Sequence, residues 1–220
     1  MDFINFGYYI IEPVSKPNHI ALPCEWVLSA SGCICDHHPS LTGCFWQNHT
    51  DKQTKYKKLL RLSDTDFENM KKHVSHLFNE QRLDSDSRFA NFSDAHDFYS
   101  QYLSHLSKAR IVSIALEGVY QAAFLGEIKD TYNPLLPSKD QPPYGQWLGY
   151  DLLGWDYGGF HTYLCNRLDQ DIAEKYPLIV NELGLIQNPY SEVRKFSEHI
   201  ADKGEPVLWL PFAVYEYPIR

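Results

Sequence analysis

The 220-residue chain is short of positive charge: 20 Lys and Arg stand against 28 Asp and Glu, a formal net charge of −8. Proteins that coat nucleic acid neutralise phosphates with clustered Lys and Arg, so this balance argues against that class. No run of about 18 apolar residues occurs, so no membrane span is expected. The N-terminal stretch Phe3–Ile11 is apolar but has no Lys or Arg before it, and Asp2 and Glu12 bracket it. A secretory signal would need a positive start, a longer apolar run and a small-residue cleavage site, so the chain reads as cytoplasmic. Gly-x-x-x-x-Gly-Lys-Ser/Thr, Gly-x-Gly-x-x-Gly, Gly-x-Ser-x-Gly and His-Glu-x-x-His are all missing. Their absence lowers the odds of the common nucleotide-binding and hydrolytic classes, and no cofactor is expected.

What the chain has in quantity is apolar and aromatic side chains: 44% hydrophobic and 15% aromatic, with 15 Tyr, 12 Phe and 5 Trp. That excludes wholesale disorder and is enough for a sizeable core. The negative charge is unevenly placed. Residues 1–110 carry 12 Lys and Arg against 13 Asp and Glu, whereas residues 111–220 carry 8 against 15. Such asymmetry can steer a basic partner or simply aid solubility, and it says nothing about fold.

Five cysteines are an odd total in a chain that reads as lacking a secretion signal, and both weigh against a disulfide framework. Cys24, Cys33, Cys35 and Cys44 lie near His37, His38 and His49, and Cys33, Cys35, His37 and Cys44 form a candidate zinc set. Structural zinc favours paired ligands two to four residues apart, and Cys-x-Cys is one residue too tight. Buried thiols around Gly32 and Gly43 are the preferred reading, with no metal.

Along the chain, residues 3–11, 26–28, 109–117, 147–155 and 206–217 read as strands from their β-branched and aromatic content. The basic run Lys52, Lys55, Lys57, Lys58 and Arg61 reads as a solvated approach to a helix. Ser63 with Asp66 three positions on is a capping-box variant. It opens a helix whose buried face is Phe67, Met70, Val74, Leu77 and Phe78, ending near Gln81. Ser93 opens a second, with Asp94 and Asp97 in its first turn. His73 and His76 are spaced to share a helix face, but no carboxylate or thiol accompanies them, so packing or surface roles are favoured. Residues 119–125 read as a strand or a short helix, 160–176 as a helix ended by Pro177, and Gly184 as a helix C-cap. A last helix runs from Ser191 to Gly204. The expectation is one α+β domain with a mostly antiparallel sheet and four to five helices. The Pro-rich stretch at 130–146 is the candidate subdomain boundary.

Two chemistries compete for the function. If residues 160–176 are helical, His161 and Cys165 lie four apart on one face, and Asp151 or Asp156 could orient the imidazole. That is the arrangement of an activated thiol nucleophile. Against it, Cys165 follows Leu164 in an apolar pattern and free cysteine is more often packing. The preferred reading is recognition. Tyr and Trp are the usual anchors of protein interfaces, and Tyr150–Asp151, Trp155–Asp156–Tyr157 and Glu216–Tyr217 alternate them with acids. The expected function is therefore a bacterial immunity- or antitoxin-like inhibitor that occludes a basic toxin, such as a nuclease, with no nucleic-acid or membrane partner. A zinc-stabilised module ranks third.

Overall fold

The structure is a computed structural model. It describes residues 2–32, 50–129, 145–156, 159–202 and 207–219, and for residues 50–52 and 156 it describes backbone only. Strand β1 (Phe3–Ile11) is followed by the short β2 (Val14–Ser15) and β3 (Trp26–Val27). Helices α1 (Thr50–Leu60), α2 (Asp64–Asn79) and α3 (Phe92–Phe98) lead to β4 (Arg110–Glu117). Then come α4 (Gln121–Ile128), β5 (Gln146–Asp156), β6 (Gly159–Thr162), α5 (Leu168–Lys175), α6 (Tyr190–Ala201) and β7 (Leu208–Tyr217).

The result is an α+β fold on a curled sheet of five antiparallel strands in the order β1-β4-β7-β5-β6. Among the described residues six α-helices pack around it, against the four to five expected. The lysine-rich approach at 52–61 is itself α1, because Tyr56 and Leu60 bury one stripe of it. The 119–125 stretch is a 3-10 turn leading into α4 rather than a strand. At α2 the expected cap is present, the Ser63 hydroxyl accepting the Asp66 N–H at 3.1 Å. The next helix is capped by Asn91, not Ser93: the Asn91 side-chain oxygen accepts the Asp94 N–H at 2.9 Å.

Period-2 alternation divides the core. On one sheet face, Tyr8, Ile10, Ile111 and Tyr217 meet α1, α2 and α3, while Leu152 and Trp209 farther along meet α5 and α6. On the other face, Phe6, Phe212, Trp155 and Phe160 gather around Phe124 of α4, with ring centroids 4.9–6.2 Å apart. Edge-to-face contacts dominate this cluster, the favoured geometry of aromatic rings. Bulges at Gly7 and Gly149 let the strands curl. Gly7 has φ +114°, and a Cβ there would meet the Arg88 side chain at 2.6 Å and the Phe89 carbonyl at 2.8 Å. Gly149 has φ +146° and is pressed on the Leu185–Gln187 segment.

The expected helix over 160–176 is not formed. Residues 159–162 pair with β5 instead, in the register Trp155↔Phe160 and Gly154↔His161. Asn166 and Arg167, both at positive φ, then turn the chain before α5 begins. Gly184 caps no helix; it takes φ +74° in the turn preceding Leu185. The Pro-rich boundary proposed at 130–146 falls almost wholly outside the described residues.

Candidate functional site

The nucleophile reading loses its geometric premise. His161 stands on β6 and half-buried Cys165 on the turn after it, so the helical four-residue spacing does not exist. The Cys165 N–H donates to the Thr162 carbonyl at 3.0 Å. Asp151, the candidate orienting carboxylate, is engaged elsewhere. It accepts from the Ser29 hydroxyl at 2.6 Å and from Thr162 Oγ1 at 3.1 Å. Its burial pushes the carboxyl up to about 7, against the pull of those two hydroxyls and of the Ala30 and Leu152 backbones. The Asp156 side chain lies outside the described residues, as do Tyr157 and the candidate zinc ligands Cys33, Cys35, His37 and Cys44. Among the described residues no group of three His, Cys, Asp or Glu is placed to hold a metal ion. Likewise, no described helix is long and apolar enough to cross a membrane.

The residues singled out for partner contact separate into two sets. Asp151, Trp155 and Tyr217 are interior, at 1%, 6% and 6% exposure, and present no surface. The reason is strand alternation: Asp151, Leu153 and Trp155 all turn toward the aromatic core, so Trp155 meets Phe160 edge-on at 4.9 Å. Tyr217 is packed by Tyr8 and Phe92, and its hydroxyl shares a 3.2 Å hydrogen bond with Ser113. Tyr150 and Glu216 remain partly exposed. Glu216 takes the Arg110 Nη1 on both oxygens, at 3.0 and 3.1 Å.

Sequence reasoning missed Trp147, the most exposed of the described tryptophans at 40%. Its ring meets Tyr150 edge-on at 5.4 Å, and Tyr150 in turn contacts Tyr190 (5.4 Å) and Phe3 (6.4 Å). The Gly149 bulge is what allows this. It shifts the register between Trp147 and Tyr150, so both rings emerge on the same sheet face. A glycine two residues after a strand-initial Trp was the available signal.

On the other face of the same strand ends lies a cleft of about 910 Å³, with Trp26, Lys108, Arg110, Glu182 and Glu216 in its walls. The Lys108 ammonium sits 3.8 Å from the Trp26 ring centroid, a cation–π contact. Two cations and two carboxylates leave the cleft near electrical balance. The described acids of residues 111–220 do not form one field either. Asp151 and Asp169 are buried, Glu127 rides on α4 on one sheet face, and Asp171, Glu174, Glu192 and Glu198 ride on α5 and α6 on the other. The aromatic strip, rather than the charge asymmetry, is therefore the feature that distinguishes this surface. No known protein family, curated protein or solved structure matches the chain.

Proposed function

We propose that the chain is a protein-binding inhibitor of the immunity or antitoxin kind, acting in the bacterial cytoplasm by covering the active site of a basic toxin. The observation that carries this reading is Trp147, exposed at the end of the sheet and held edge-on by Tyr150. A large ring fixed by its neighbours loses little conformational freedom on binding, which is why Trp and Tyr dominate interface energetics. The overall charge of −8 favours encounter with a cationic surface.

Co-expression with toxic products encoded beside this chain tests the proposal, with growth rescue and co-elution as readouts. The expected result is rescue together with a stoichiometric complex. Trp147→Ala should weaken that complex by roughly 30-fold or more, the loss typical of an interface anchor. Glu127→Lys, on the α4 side, should leave it unchanged. Absence of rescue by the native chain, or a Trp147→Ala variant that binds as tightly, would overturn it.

A further inference from the structure

The cleft of about 910 Å³ at the strand ends has the size of a small-molecule site, about 300–1,000 Å³. Arg110 and Gln146, the first residues of β4 and β5, form one wall with the end of β7, where Gln146 pairs in register with Glu216. Trp26 of β3 forms another, and the turn bearing Glu182 is fastened to it. The Trp26 N–H donates to the Glu182 carbonyl at 3.3 Å, and the Leu28 N–H to the Leu183 carbonyl at 3.0 Å. Asn181 stiffens that turn, its side-chain oxygen accepting the Leu183 and Leu185 N–H groups at 2.9 and 3.0 Å. Pro13, Pro218 and Ile219 add apolar surface to the lining.

The four charges of the cleft are not equivalent. Arg110 and Glu216 neutralise each other through two hydrogen bonds, at 3.0 and 3.1 Å. Lys108 and Glu182 are exposed, and among the described residues neither has an ion-pair partner. The Lys108 ammonium rests instead on the Trp26 ring, 3.8 Å from its centroid. An exposed cation–π contact is weak, so a carboxylate can draw the ammonium off the ring. The indole face is then open, with one uncommitted cation and one uncommitted anion in the same recess. A ligand of a single sign leaves one of those two charges unmatched, whereas a ligand carrying both signs matches both.

We propose that the cleft binds an aromatic zwitterion, the chemistry of a free aromatic α-amino acid or of a short peptide containing one. Its carboxylate pairs with Lys108, its ammonium pairs with Glu182, and its ring lies on the Trp26 face that Lys108 vacates. The inference goes beyond the protein-binding reading and does not depend on it, because the Trp147 strip lies on the opposite sheet face.

Titration of the intact chain with L-phenylalanine, followed by amide and indole chemical shifts, tests this. The controls are 3-phenylpropionate, which lacks the ammonium, and phenethylamine, which lacks the carboxylate. Phenylalanine should move the Trp26 indole N–H and the Lys108, Glu182 and Ile219 amides saturably in the millimolar range. Each control should bind about threefold to fivefold more weakly, the worth of one exposed ion pair. Glu182→Gln should abolish the advantage over 3-phenylpropionate, and Lys108→Gln the advantage over phenethylamine. Both side chains are exposed, so thermal unfolding of the two variants should match the parent. Trp147→Ala should leave the titration unchanged. The dipeptide phenylalanyl-phenylalanine separates the two sources: tighter binding than phenylalanine assigns the cleft to peptides, weaker binding to the free amino acid. Absence of any saturable shift, equal binding by phenylalanine and both controls, or a Glu182→Gln variant that still prefers the ammonium would overturn the inference.

Discussion

The loop at 84–89 and the β5–β6 hairpin each bury a carboxylate, and they neutralise it by opposite means. In the loop, Asp84 receives Arg88 as a fork, Nε at 2.9 Å and Nη2 at 2.8 Å, while its other oxygen accepts the backbone N–H groups of Asp86 and Arg88. Burial raises the Asp84 carboxyl, and the guanidinium pulls it back. Neighbouring Asp86 accepts the Tyr9 hydroxyl at 2.8 Å. This network holds the loop on the free edge of β1, where Tyr8 and Phe89 exchange backbone hydrogen bonds at 2.8 and 2.9 Å. An otherwise open strand edge is thereby covered. In the hairpin, Asp151 has two hydroxyls and backbone N–H groups but no cation among its partners, and its pKa rises to about 7. One carboxylate has a guanidinium of its own. The other changes charge near neutrality.

Breaking the loop site should have the largest effect. Arg88→Met removes the guanidinium paired to Asp84 and should cost about 3–5 kcal/mol, the usual penalty for orphaning a buried charge. Urea unfolding would measure it. Adding Asp84→Asn should recover much of the loss, because a neutral amide does not need the guanidinium. If the double variant is no more stable than the single one, Arg88 acts through packing against Gly7 rather than through charge.

Asp151 should instead show itself through pH. Its folded-state value of about 7 lies above the ordinary 3.8, so the folded chain holds this proton more tightly than the unfolded one. The stabilisation is complete below the unfolded value and is lost as pH rises from about 4 to about 7. A three-unit shift corresponds to on the order of 4 kcal/mol. Asp151→Asn should therefore flatten the stability profile across that window and be more stable than the parent at pH 8. Equal slopes in the two proteins would refute the assignment.

The contrast between these sites also marks where sequence reading reached and where it stopped. Strands β1, β4, β5 and β7 and helix α2 are legible because each is a long periodic segment whose burial agrees with its local pattern. The 159–162 strand is not, since four residues carry little periodic signal. There Phe160 is held by its ring contacts with Phe124, Trp155 and Phe212, and tertiary pairing overrides helical spacing. Asp151 and Trp155 were read as surface because each has an aromatic or acidic neighbour in sequence. Two-residue alternation along β5 would have placed both on the Leu153 side, inside. The Glu117–Tyr190 contact joins residues from β4 and α6, and no local window contains both. Asp84 and Arg88 lie four apart, but nothing in their spacing tells a buried pair from an exposed one.

The smallest expected effect isolates a single hydrogen bond at the hairpin site. Thr162→Val keeps side-chain volume and β-propensity but removes the hydroxyl that donates to Asp151 Oδ1 and accepts from the Leu164 N–H at 3.4 Å. A neutral hydrogen bond contributes about 1 kcal/mol net, and one to a charged group about twice that. The Thr162 hydroxyl lowers the Asp151 pKa, so it favours the ionised carboxylate more than the neutral acid. The cost of Thr162→Val should consequently be under about 1 kcal/mol at pH 5, where Asp151 is protonated, and approach about 2 kcal/mol at pH 8. Chemical denaturation at the two pH values gives the difference directly. A cost independent of pH would mean that Thr162 serves the Leu164 turn and not the carboxylate. Among the described residues Ser29 would then be the one hydroxyl serving Asp151, and the difference between the two buried sites would be larger still.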